Sequence, residues 1–137
     1  MDDEAIARFI RDFEEGTLPR SAWTHERHLL MALWYLCHHD RNAATDLIRS
    51  GIQKFNARQG NLTGYHETIT LAWVAVIDHF LQGKKHAKPI SVLFQDLLSE
   101  HGARDALLRH YSRERLFSDE ARHGWLLPDL AGFEGPD

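Results

Sequence analysis

The chain contains little of what would cross-link it, anchor it in a membrane or drive it onto nucleic acid. Its single cysteine, Cys37, excludes an intrachain disulfide framework and is typical of a reducing compartment. The longest apolar run, residues 29–37, is about half the length that crosses a bilayer, and the acidic start, residues 1–4, lacks the layout of a secretory signal. Sixteen Lys and Arg against twenty Asp and Glu leave a formal charge of −4, which disfavours nucleic acid. We expect a cytoplasmic protein without a nucleic-acid or membrane partner.

Sustained strand alternation is also missing, and so are three common catalytic signatures. The sequence has no Gly-x-Ser-x-Gly turn, no glycine-rich phosphate loop and no dinucleotide-binding fingerprint. A length of 137 residues suits one domain that buries its own apolar core. We therefore expect a single domain over residues 1–137 and no familiar nucleophile.

Apolar residues recur at helical spacing along most of the chain. Ile6, Phe9, Ile10 and Phe13 lie at i, i+3, i+4 and i+7, which is the stripe of an amphipathic helix. This pattern predicts an all-α, compact single-domain bundle of five to six helices with an irregular C-terminal tail. The predicted helices and final turn cover residues 3–15, 24–38, 42–58, 65–82, 89–101, 104–111 and 119–123, and the tail covers residues 125–137.

The pattern also predicts which side chains of the second and third helices are buried and which are exposed. The third helix turns Asp46 and Arg49 toward solvent, since its apolar residues share the other face. Cys37 lies inside an apolar helical run, and burial makes a thiol inert because it raises the thiol pKa. We expect Cys37 to be structural.

Ten histidines are many for this length, and two short segments place three of them at the start of apolar helices. The first segment reads Trp-Thr-His-Glu-Arg-His over residues 23–28, and the second reads Gly-Tyr-His-Glu-Thr over residues 64–68. At about 100° per residue, His25 and His28 lie about 60° apart on one helix face. His66 shares a face with apolar residues of its own helix. All three imidazoles are expected to point into the bundle.

Inward imidazoles from two packed helices can supply the ligands of one metal ion. The helix dipole disfavours protonated His66, and the neutral imidazole is the form that binds metal. His25, His28 and His66 are the predicted ligands of Zn²⁺, Fe²⁺, Ni²⁺ or Mn²⁺, and replacement of one histidine by Glu67 would favour iron. The candidate catalytic residues beside this centre are Glu67, Glu26 and Tyr65.

Three further residues are candidate substrate contacts: Trp23, Arg115 and Arg122. The guanidinium fork of either arginine fits a substrate carboxylate or phosphate. The structural alternative is that both arginines form surface salt bridges with neighbouring acidic residues and that Trp23 packs in the core. Glu26 and Glu67 have an alternative as well, because carboxylates stabilise helix N-termini through the dipole.

A closing stretch completes the set of motifs. It reads Tyr-Ser-x-x-x-Leu-Phe-Ser over residues 111–118, followed by Ala-Arg, Trp and Pro-Asp-Leu up to residue 130. With the two histidine segments, it resembles a family of small, uncharacterised all-α bacterial proteins over nearly the whole chain. The resemblance implies a compact cytoplasmic domain and little about its chemistry. The chain also resembles, more loosely, the DinB-like bundles, where histidines from separate helices hold one metal, although the spacing here departs from theirs.

Three functions follow as alternatives. The first is a metal-dependent enzyme that acts on a small molecule through the histidine cluster. The second is a metal-free domain that binds a small anionic or aromatic ligand with the same histidines and aromatic residues. The third is an interaction module that forms a homodimer through an exposed apolar helix face, with structural core histidines.

Overall fold

A computed structural model of the protein describes residues 1–133, and that range folds into five long and two short helices. The long helices are α1 (Asp3–Glu15), α2 (His25–His38), α3 (Arg41–Arg58), α4 (Glu67–Phe80) and α5 (Ile90–His101), and the short ones are α6 (Arg113–Leu116) and α7 (Asp119–His123). The predicted all-α bundle is confirmed. Residues 134–137, the end of the predicted tail, lie outside the described residues.

Side-chain caps set where the helices begin. The Asp2 carboxylate accepts from the Ala5 amide at 2.7 Å, and the Thr24 hydroxyl accepts from the Arg27 amide at 3.3 Å. Each cap satisfies an amide that has no partner inside the helix. The predicted starts of α1 and α2 are therefore right to within one residue.

Helices α2 and α4 form the centre of the bundle. Leu30, Leu33 and Leu36 of α2 and Ile77 of α4 are completely buried. Helix α2 contacts α3, α4 and α5, while α4 also contacts α3 and α7. Because both helices are apolar on most sides, they can be surrounded by neighbours in this way. Helix α2 thus lies at the centre of the bundle, as the sequence predicts.

Two predicted elements differ from the structure. The predicted helix over residues 104–111 is only a short 3₁₀ turn, Ala106–Arg109. The fourth helix starts at Glu67 and not at Tyr65, because the ring of His66 accepts the Ile69 amide hydrogen at 3.1 Å and ends the helix there. Helix α6, just after this 3₁₀ turn, was not expected.

The C-terminal segment packs on α4 through a second, smaller apolar cluster. Val76 of α4 contacts Leu107, Tyr111 and Leu116 in this cluster. Beyond α7 the described chain has no regular helix, as the sequence predicts, and hydrogen bonds fix it in place. The Tyr111 phenol, for example, donates to the Leu126 carbonyl at 2.6 Å.

The sequence makes two further predictions, one about the Cys37 thiol and one about membrane-spanning segments. Cys37 is buried, and burial raises its pKa to about 11, so the thiol is unreactive at neutral pH as predicted. Within residues 1–133, none of the helices combines the length and the apolar character needed to cross a bilayer.

Candidate functional site

A polar cleft of about 1040 Å³ lies where α3, the loop before α4, and α7 meet. Three of the residues singled out by the sequence line it together: Tyr65, Glu67 and Arg122. They come from two separate motifs. Its other lining residues are Arg49, Gln53, Asn56, Ala57, Asn61, Leu62, Thr63, Gly64 and His123.

Glu67 and Arg49 form a two-pronged ion pair in the wall of this cleft. The Arg49 guanidinium donates from Nε to Oε1 at 3.0 Å and from Nη2 to Oε2 at 2.9 Å. These bonds lower the pKa of the Glu67 carboxyl, partial burial opposes the change, and Tyr65 adds to it. The same pairing raises the pKa of Arg49. Both groups therefore stay charged at neutral pH and hold α3 against the start of α4.

Tyr65 completes this pair from the loop side. Its phenol donates to Glu67 Oε1 at 2.5 Å. Burial raises the pKa of Tyr65 to about 12, and the hydrogen bond to Glu67 contributes to the increase. The phenol is consequently protonated at neutral pH, with its hydrogen committed to the carboxylate. Two members of the second motif thus meet as hydrogen-bond partners at one edge of the cleft.

Arg122 approaches the cleft from α7 and anchors the loop. Its Nη1 donates to the Thr63 carbonyl at 3.1 Å and to the Tyr65 carbonyl at 3.4 Å. Within residues 1–133, Nε and Nη2 of this guanidinium have no hydrogen-bond partner in the protein. Arg122 therefore presents an anchored cation with donors that remain available to a bound molecule.

His66 is placed differently from its two neighbours in the motif. It is 8% exposed, and its Nε2 donates to the Leu116 carbonyl at 2.8 Å while its Nδ1 accepts from the Ile69 amide. A carbonyl can only accept and an amide can only donate, so the neutral tautomer is fixed. Burial lowers the pKa of His66, which agrees with a neutral ring. Both ring nitrogens are occupied by the backbone.

The side chains as arranged do not fit the predicted three-histidine centre. Metal coordination needs a ring nitrogen with an available lone pair, and His66 has none. In the described part of the chain, no three His, Cys, Asp or Glu side chains come together in a way that could hold an ion. The predicted convergence of His25, His28 and His66 is therefore not found, and metal binding stays a prediction.

His25 and His28 line a second cavity of about 330 Å³ between α2, α3 and α4. Nε2 of His25 donates to the Gly102 carbonyl at 3.1 Å. Nδ1 of His28 donates to the Thr24 carbonyl at 2.7 Å, and its ring lies 3.8 Å from that of Trp23. Both imidazoles therefore line the same cavity, and its other lining residues are mostly apolar.

The remaining candidate residues lie outside both cavities. Trp23 packs against Phe13, with ring centroids 4.9 Å apart, and against Phe55 at 5.0 Å. Arg115 donates from Nε to the Leu127 carbonyl at 2.6 Å and holds the C-terminal segment. Glu26 is exposed in the first turn of α2. Trp23 packs among aromatic side chains, as its structural alternative describes, whereas Arg115 binds a backbone carbonyl and not the acidic neighbours that its alternative names.

Arg49 is the residue that sequence reasoning missed. It was expected to face solvent on α3, but its side chain is 32% exposed and bonded to Glu67. One signal pointed to such a partner, since a carboxylate at the start of an apolar helix needs charge or hydrogen-bond partners when it is partly buried. The partner's identity depends on the register between α3 and α4, which a single sequence does not contain.

Comparisons with protein-family models, with curated proteins and with solved structures found no match. The resemblance to a bacterial family therefore stays a prediction.

Proposed function

We propose that this protein binds a small organic carboxylate in the polar cleft, through its own side chains. The observation that carries the proposal is the charge balance of the lining, where Arg49 and Arg122 face a single carboxylate, Glu67. Arg49 and Glu67 neutralise each other through two hydrogen bonds. Arg122 thus supplies one uncompensated positive charge, and its planar fork matches a carboxylate.

Size and polarity support a small polar ligand. The volume of about 1040 Å³ lies near the upper end of the usual range of ligand pockets, about 300–1,000 Å³. The amides of Asn56 and Asn61 line the cleft and can hydrogen bond a polar body. A monoanion is favoured over a dianion because a second negative charge would face Glu67 without a matching cation.

The protonation states favour binding over acid–base catalysis. Glu67 is a weak base because its pKa is lowered and both its oxygens accept hydrogen bonds. Tyr65 is a poor general acid, since burial raises its pKa to about 12 and its hydrogen is committed to Glu67. We therefore propose that Tyr65 and Glu67 determine the shape and the charge of the site. The metal-dependent enzyme, the homodimer and the cytoplasmic location stay predictions from the sequence.

The test compares two ligands of nearly equal shape by isothermal titration calorimetry. Benzoate carries the charge that Arg122 would bind, and benzamide lacks it. We expect benzoate to bind with a Kd near 1 mM, which corresponds to about 4 kcal/mol. Benzamide is expected to bind at least about tenfold more weakly, and added salt should weaken benzoate because charge attraction is screened.

A matched pair of arginine variants identifies the site. Arg122→Gln should weaken benzoate binding by about tenfold or more, since it removes the uncompensated charge. Arg115→Gln is the control, because Arg115 donates to Leu127 and does not line the cleft. Equal binding of benzoate and benzamide, or equal benzoate affinity in the wild type and Arg122→Gln, would contradict the proposal.

A further inference from the structure

The smaller cavity has a lining unlike that of the polar cleft. Its walls come from α2, α3 and α4 and are mainly aliphatic, with Leu29, Ile48 and Ile69 among them. No Asp, Glu, Lys or Arg lines it within the described residues. Its volume of about 330 Å³ is roughly twice the 150 Å³ that suffices for benzene in an engineered apolar cavity. A compact aromatic molecule fits this space.

Hydrogen bonds to the backbone decide which polar atoms the two histidines offer. Nε2 of His25 donates to the Gly102 carbonyl, and Nδ1 of His28 donates to the Thr24 carbonyl. In each neutral ring the second nitrogen, Nδ1 of His25 and Nε2 of His28, is therefore an acceptor. Neither second nitrogen has a hydrogen-bond partner within residues 1–133.

The other polar side chains of the lining extend this pattern. The Thr70 hydroxyl donates to the His66 carbonyl at 2.8 Å, so its oxygen can act only as an acceptor toward the cavity. Trp73 carries the one remaining polar hydrogen among the described lining side chains, on its indole nitrogen. The lining side chains therefore have several acceptors and a single donor that are not used in the hydrogen bonds of the described residues.

We propose that this cavity binds a small, uncharged aromatic molecule that carries a hydroxyl group. The hydroxyl hydrogen is donated to Nε2 of His28, and the ring lies against Trp73 and the aliphatic walls. A hydrocarbon of the same size leaves the imidazole acceptors without a partner. A carboxylate is rejected, because it brings only acceptors and a charge into an apolar space.

Protonation at neutral pH agrees with this assignment. Burial lowers the pKa of His28 from 6.5, the hydrogen bond to Thr24 opposes the change in part, and the neighbouring His25 adds to it. His28 is thus neutral under ordinary conditions and keeps its acceptor nitrogen.

The first experiment uses the wild-type protein and two probes, phenol and toluene, in an NMR titration. The indole N–H signal of Trp73 reports binding, and that of Trp125, which lies outside this cavity, is the internal control. Phenol should bind at least about tenfold more tightly than toluene, because the hydroxyl satisfies an imidazole acceptor. Equal affinities, or no shift of Trp73 with either probe, overturn the proposal.

Two matched variants locate the hydroxyl contact. His28 and His38 have the same local geometry: each Nδ1 donates at 2.7 Å to a carbonyl four residues earlier, and each ring lies beside a tryptophan. His28→Phe keeps the aromatic contact and removes the acceptor, so the preference for phenol should fall to about threefold or less. His38→Phe should leave the preference unchanged.

The outcome is independent of the polar cleft. Phenol binding that is unchanged in His28→Phe overturns this proposal, whatever benzoate does at Arg122. If His28→Phe fails to fold, the wild-type comparison of phenol with toluene still decides the matter. Benzoate that shifts Trp73 as strongly as phenol does would also overturn the assignment of an uncharged ligand.

Discussion

Four consecutive residues at the start of α4 contact two different parts of the molecule in alternation. Tyr65 and Glu67 line the polar cleft and bind each other. His66 and Thr68 point the other way and bind the C-terminal segment, through the carbonyls of Leu116 and Gly124. His66 and Thr68 therefore hold the fold together, while Tyr65 and Glu67 shape the cleft.

Replacing Glu67 with glutamine tests how the negative charge of this residue affects stability and ligand binding. Glu67→Gln leaves Arg49 without its countercharge, so we expect a loss of about 1–2 kcal/mol of unfolding free energy. The cleft gains one positive charge, and benzoate should bind about two- to tenfold more tightly. Urea unfolding and calorimetry measure the two effects.

The control for this variant is Asp46→Asn, since Asp46 also contacts Arg49 but is 81% exposed and lies outside the cleft. It should change stability by less than about 0.5 kcal/mol. A weaker affinity of Glu67→Gln for benzoate would show that the Glu67 carboxylate itself helps to hold the ligand. That result would contradict the tighter binding expected from the added positive charge.

His66 makes the stability of the fold depend on pH in a predictable direction. Burial lowers its pKa in the folded state from 6.5, so the unfolded chain takes up a proton first as the pH falls. The stability that His66 contributes is present above 6.5 and is lost as the pH drops through that value toward the lower, folded pKa. His66→Asn can keep the helix cap without the titrating ring.

We expect wild-type protein to lose more unfolding free energy between about pH 7 and about pH 5 than His66→Asn does. His38→Asn is the control, because His38 is exposed. Urea titrations at both pH values provide the comparison. Identical pH dependence of the wild type and His66→Asn would be inconsistent with a buried, neutral His66.

At the scale of elements, α1 and α3 approach each other closely at Gly51. A Cβ atom at this position would lie 2.8 Å from the Phe13 ring, which is buried and stacked on Trp23. Gly51→Ala should therefore lower the unfolding free energy by up to about 2 kcal/mol, since overpacking costs about 1–3 kcal/mol and the helix-propensity gain offsets about 1 kcal/mol of it. Thermal unfolding measures the effect. The control is Lys54→Ala, since Lys54 is exposed on the same helix, and it should leave the stability nearly unchanged. A Gly51→Ala protein that is more stable than the wild type would refute the close contact.

Local patterns were sufficient to predict the five long helices, and long-range pairings were not predictable. Ile6 to Phe13 shows the stripe of α1 clearly, and Thr24 is a recognisable cap, so both helices were anticipated. The start of α4 was misplaced because the cap there is a histidine, a residue with little cap preference. Inward His25, His28 and His66 follow from helix periodicity. The carbonyls that His25 and His66 bind, those of Gly102 and Leu116, are distant in sequence, so helix periodicity does not reveal them.

For the whole molecule, Thr68 is a central link between the bundle and the C-terminal segment. Its hydroxyl is buried, donates to the Gly124 carbonyl at 2.6 Å and accepts from the Leu126 amide at 3.1 Å. Thr68→Val would leave both backbone groups unpaired, at an expected cost of about 2–3 kcal/mol.

Hydrogen exchange tests this link directly, because the Leu126 amide should exchange faster in Thr68→Val. Thr45→Val is the matched control, since Thr45 donates only to Arg41 within its own helix. Protection of Leu126 equal to that in the wild type would mean that other contacts hold the segment. Arg122 lies two residues before Gly124, so its position in the cleft depends on the same docking.

The central claim is that Arg122 provides the charge that binds a carboxylate in the polar cleft. The most direct measurement follows the arginine Nε–Hε signals in a ¹H–¹⁵N spectrum while benzoate is added. We expect the Arg122 signal to shift most and the Arg49 signal less, whereas the signal of Arg115, whose Nε donates to Leu127, should stay in place. A titration in which Arg122 does not move, or in which Arg115 moves as far, would contradict this claim.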